Sequence, residues 1–129
     1  MKALKITISL FFIALLAGCG RVQPIMNVEN TPVAYNLQSE DVKAAIVLAA
    51  TNRGWVVTGS ESDEVTARID SRGHIATVRI PYSDKFYSII YVSSANLKAS
   101  GGNIHRNYNR WVNNLNSDIQ KQLAIASVK

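Results

Sequence analysis

Cysteine is nearly missing from this chain, with one in 129 residues, at Cys19. Histidine is almost as scarce, with only His74 and His105, and proline occurs only at positions 24, 32 and 81. Each shortage excludes something. Beyond Cys19 no disulfide can form, so packing alone must hold the fold, and no thiol is left for cysteine catalysis. Two histidines without a helical i, i+4 partner do not compose a zinc site. The Gly-x-Ser-x-Gly elbow of a serine hydrolase is absent. Glu61 to Glu64, "ESDE", lacks the alternating oxygen ligands and the glycine of a calcium loop and reads as a polar turn. Gly101-Gly102 precedes a helical pattern, a place that suits anions, but has neither the lysine nor the spacing of a nucleotide cradle. With no internal repeat and no catalytic constellation, the expectation is a non-enzymatic protein without cofactor or metal.

Long apolar runs are equally rare, and the single one lies at the start. "MKALKITISLFFIALLAGCG" has a basic opening with Lys2 and Lys5, an apolar stretch from Ile6 to Leu16, and small residues at Ala17 and Gly18. The order is that of a secretory signal peptide, and the stretch is shorter than the roughly 20 residues of a membrane span. Leu16-Ala17-Gly18-Cys19 resembles a bacterial lipobox. The resemblance implies cleavage before Cys19, a diacylglyceryl group on its sulfur and a firm membrane anchor of two or three acyl chains. Gly20 stands where an aspartate would favour retention in the inner membrane, so the implied address is the outer membrane, facing the periplasm.

Loss of residues 1–18 removes Lys2 and Lys5, leaving twelve Lys and Arg against nine Asp and Glu, a net charge of +3. No basic run is long enough to suggest a nucleic-acid partner, and a periplasmic address would remove that substrate. The expected organisation is a signal peptide over 1–18, a lipidated tether over 19–23 and one domain over 24–129. At roughly 3.3 Å per extended residue, such a tether holds the domain within about 15 Å of the lipid surface.

Along the domain, Pro24 to Asn30 reads as a short strand that Pro24 and Pro32 confine to an edge or to a strand's ends. "SEDVKAAIVLAATNRG" predicts an amphipathic helix with Ser39 as N-cap, Glu40 and Asp41 in the first turn, and Val42, Ala45, Ile46 and Ala49 facing a sheet. Trp55 to Thr58 is a strand. Glu64 to Ser71 alternates strictly, with Val65, Ala67 and Ile69 on one face. A two-residue turn at Arg72-Gly73 pairs Ile69 with Ala76, Ala67 with Val78 and Val65 with Ile80. A three-residue loop would instead turn Arg79 into the core, where an unpaired charge is prohibitive. "KFYSIIYVSS" is the last strand of this meander, with Tyr87, Ile89 and Tyr91 inward and Ser88, Ile90 and Val92 outward. The outer sheet face then mixes Ile75, Ile90 and Val92 with Arg68 and Arg79.

"NIHRNYNRWVNNL" opens the final helix, with Asn103 expected as N-cap. Ile104, Tyr108, Trp111, Leu115, Ile119 and Leu123 recur at three- and four-residue steps as the buried stripe. His105, Arg106, Asn109, Arg110, Asn113 and Asn116 fall on the opposite, solvent-facing side. The predicted fold is α+β: a two-layer sandwich of an antiparallel β-meander with an N-terminal and a long C-terminal helix on one face.

"RGW", "YSIIYVSSANL" and "IHRNYNRWVNNL" together are similar to a group of small, uncharacterised proteobacterial lipoproteins, over nearly all of the mature chain. That resemblance implies no particular activity. The layout also loosely resembles the helix-grip modules of lipoproteins in the outer-membrane assembly machinery, a likeness of architecture only. Two functional readings follow. One is an anchored module that docks an envelope protein through Arg68, Arg79 and their aliphatic neighbours, or through His105, Arg106, Asn109 and Arg110. The other is a small-ligand or glycan binder, or hydrolase, which needs His105, Arg106, Tyr108 and Asn109 to converge on a pocket beside the "ASGG" loop.

Overall fold

The computed structural model describes residues 21–128; the expected signal peptide over 1–18 and Cys19 lie outside the described residues. Alternation and turn chemistry build the sheet. Strands β1 (Val22–Pro24), β2 (Val28–Pro32), β3 (Val56–Ser60), β4 (Glu64–Ser71), β5 (His74–Pro81), β6 (Phe86–Ala95) and β7 (Asn103–His105) accompany helices α1 (Ser39–Asn52) and α2 (Arg106–Ala126). Five strands form one antiparallel sheet in the order β2-β6-β5-β4-β3, and β1 pairs with β7 in a separate ribbon. Both helices pack on the inner face of the sheet, so the fold is the expected α+β arrangement.

The β4–β5 hairpin has the register that the charges demand. Ile69 faces Ala76, Ala67 faces Val78 and Val65 faces Ile80 across a two-residue turn. Arg72 and Gly73 have φ of 56° and 82°, the left-handed pair of a type I′ turn, whose twist matches that of the strands. Between β5 and β6, a bulge places Val92 and Ser93 opposite Thr77. After it Ser94 turns inward, where its hydroxyl lies 2.8 Å from that of Tyr91.

The core is formed by α1 (Val42, Ala45, Ile46, Ala49, Ala50), the inward residues of β4 to β6, and α2 (Tyr108, Val112, Leu115, Ile119, Leu123). Burying each large aliphatic here contributes about 1.5 to 3 kcal/mol. Tyr108 meets Tyr91 edge-to-face at 5.5 Å. Tyr87, also fully buried, donates its hydroxyl to Asn116 and accepts from Gln120 Nε2 at 2.7 Å, which ties α2 to β6.

Several boundaries differ from the sequence expectation, each for a local reason. The single strand over 24–30 is two strands. Pro24 ends β1, and the chain then turns so that Ile25 N–H reaches Gly102 O at 2.9 Å. Val22 and Gln23, expected in the tether, are paired with His105 and Ile104. Gln38, not Ser39, caps α1, and its N–H donates to the Asp41 carboxylate at 3.0 Å. His105, not Asn103, caps α2, because β7 draws Asn103 and Ile104 into extended backbone. Trp111 is only partly buried, and Val112 takes the core position one residue later.

Candidate functional site

The six candidate side chains split into three groups. Arg68 and Arg79 stand on the outer face of the sheet, where no described helix lies. Thr66 faces Arg79, and Arg79 in turn faces Ile90. Its guanidinium donates to the Glu64 carboxylate at 3.2 Å. Arg68 faces Val56, whose side chain is 63% exposed. Val92 and Phe86 are each 49% exposed on the same face. Alternation placed Ile75, Ile90 and Val92 there. Val56 and Phe86 were missed, although the same period extended by one strand, or by one residue, reaches both.

His105 and Asn109 form the second group, and both serve the fold. Nδ1 of His105 accepts the Asn107 N–H at 3.1 Å as the N-cap of α2. Burial, then the nearby charges of Arg106, Lys98, His74 and Arg21, hold this imidazole below its ordinary range. Asn109 was expected on the solvent side but is 8% exposed. Its Oδ1 accepts from Met26 N–H at 3.0 Å, and its Nδ2 donates to Pro24 O and to Gln23 Oε1 at 3.0 and 3.1 Å. The physical reason is β1: its backbone carbonyl and the N–H just beyond it are covered by α2, and Asn109 supplies the donor and the acceptor they need. Asn116, expected in solvent, is likewise engaged, by Tyr87.

Arg106 and Arg110 are the third group, exposed one helical turn apart. With Gln23, Asn109 and Asn113 they line a recess of about 280 Å³. Tyr108 does not join them, since it is fully buried against the sheet and its hydroxyl has no hydrogen-bond partner. Burial raises its phenol far above the usual tyrosine range. The convergence of His105, Arg106, Tyr108 and Asn109 on one pocket is therefore absent.

A cleft of about 350 Å³ separates the start of α1 from the end of α2, with Leu48 and Ile125 exposed on its walls and Asp41 as the only titratable group among the described residues that line it. Among the described residues no cluster of His, Cys, Asp and Glu is arranged to hold a metal, and no helix is long and apolar enough to cross a membrane. Comparison with known proteins finds no family model and no curated protein that matches this chain.

Proposed function

We propose that this protein is a periplasmic lipoprotein, anchored to the outer membrane through Cys19, that acts as a non-enzymatic binding module and docks a protein partner on the outer face of its five-stranded sheet. The observation that carries the docking surface is the distribution of side chains on that face. Both helices cover the inner side, while Val56, Phe86, Ile90 and Val92 remain on the outer side among Arg68, Arg79 and threonines. An aliphatic surface flanked by arginines suits a partner with apolar side chains and carboxylates, because the planar guanidinium binds a carboxylate through two parallel hydrogen bonds. The competing ligand-pocket reading is weaker, since Tyr108 is buried and Asn109 is engaged by β1.

The test is a photo-crosslinking amino acid at Val92, compared with one at Asn113 on α2, in cells that carry the lipoprotein. A discrete adduct from position 92, reduced several-fold by Arg68→Glu with Arg79→Glu, is expected. Adducts from position 113 alone would move the contact to the helix, and adducts from neither would overturn the docking surface. In the same cells, Cys19→Ser should accumulate unprocessed and without lipid; normal maturation in the outer membrane would overturn the anchor.

A further inference from the structure

The carboxylates of this fold are gathered away from one end of the molecule. Between Asp84 and Asp118 the chain has no aspartate or glutamate. That stretch supplies the end of β6, β7 and the first turns of α2, so one end of the domain is built almost without acids. The β1–β7 ribbon brings Arg21 beside His105, and Arg21 O accepts the Arg106 N–H at 3.0 Å. Lys98 joins them because His105 N–H donates to the carbonyl of its neighbour Leu97 at 2.8 Å. Arg110 lies one turn along α2, on the same recess as Arg106. The side chains of Arg21, Lys98, Arg106 and Arg110 are exposed. Asp70, the acid nearest this end, is turned to the hairpin, where it accepts the Gly73 N–H at 3.0 Å. The carboxylates collect at the opposite end, at the start of α1 and in the β3–β4 and β5–β6 turns, as with Glu40, Asp63 and Asp84.

The chain enters the fold at the basic end. Cys19 is two residues before Arg21, so a lipid on it lies within about 7 Å of the Arg21 backbone, at roughly 3.3 Å per residue. We infer that the cluster of Arg21, Lys98, Arg106 and Arg110 is a membrane-docking surface that binds the phosphates of anionic phospholipids next to the anchor, and so orients the domain with its acidic end away from the bilayer. This rests on the lipoprotein reading. Charge complementarity and the point of chain entry select the occupant: basic side chains beside a membrane are drawn to its negative surface, with a reach of about one Debye length, and a tether this short keeps them inside it. The bare sheet face runs between the two ends, so docking leaves it open to a protein partner.

The test uses the mature lipoprotein in vesicles of phosphatidylcholine alone or with phosphatidylglycerol. A dye on Ala99→Cys marks the basic end, a dye on Ser62→Cys marks the acidic end, and a quencher is carried on lipid headgroups. With phosphatidylglycerol, the dye at 99 should be quenched several-fold more than the dye at 62. The triple variant Lys98→Asn, Arg106→Gln, Arg110→Gln should lower the docked fraction by roughly tenfold; asparagine is chosen at 98 because Lys98 has φ of 55° and asparagine tolerates that region. Equal quenching of the two dyes, or no response to lipid charge, would overturn the proposal. So would displacement by millimolar inorganic phosphate at constant ionic strength, which would assign the cluster to a free anion. Mass spectrometry of the same sample separates the two failures: a chain without acyl groups on Cys19 would overturn the anchored reading and the docking with it, whereas an acylated chain that fails to dock would overturn the docking alone.

Discussion

Asn109 joins segments more than eighty positions apart in the chain, and its removal should be felt accordingly. Asn109→Ala leaves the Met26 N–H and the Pro24 carbonyl without their partner, a loss of about 1 to 3 kcal/mol for buried groups left unsatisfied. Asn113→Ala, one turn along and exposed, should be nearly neutral. Denaturant midpoints of the two variants measure the contrast. His105 offers a second test at this scale. Its folded pKa is depressed below the ordinary 6.5, so the unfolded chain takes up the proton first and the stability present above that value is lost as pH falls through it. Protonation also removes the lone pair that caps Asn107. The melting temperature should fall between roughly pH 7.5 and 5.5, and His105→Asn, which keeps a capping acceptor, should flatten that part of the profile. Neither role was legible in the sequence. An asparagine on the polar side of a helix looks the same whether it meets water or a distant backbone, and a capping histidine is not among the usual signals.

Elements were more legible where two constraints agreed. In β4 and β5 alternation and the cost of burying Arg79 point to one register, and that register is found. The turn between them is conformationally expensive, because Arg72 adopts a left-handed φ of 56°. Arg72→Asn should therefore stabilise the domain by up to about 1 kcal/mol, read as a higher thermal midpoint with the register unchanged. A lower midpoint would show that the Arg72 side chain makes a contact worth more than its backbone costs. Strands of three residues, such as β1 and β7, carry too few positions to show a period, and their pairing depends on partners some eighty residues apart. The start of α2 was misplaced for the same reason, since Ile104 fits a helical stripe and a strand equally well. Trp111 and Val112 both satisfy three- and four-residue steps, and only the crossing of α2 over the sheet decides between them.

For the whole molecule, the layers followed from the order of the elements, whereas the sorting of charge followed from topology. The acid-free stretch is visible in the sequence, but nothing there shows that β1 carries Arg21 to the same end. That ribbon also has a mechanical consequence. Tension along the N-terminal side of the chain enters the domain at Val22 and falls first on a three-residue ribbon and the Asn109 amide, ahead of the five-stranded sheet. If this stitch gives way before the core does, residues 22–27 are paid out as slack, adding about 20 Å of reach at roughly 3.3 Å per residue. A tether through Cys19, as proposed, would then have two lengths, a short one at rest and a longer one under pull.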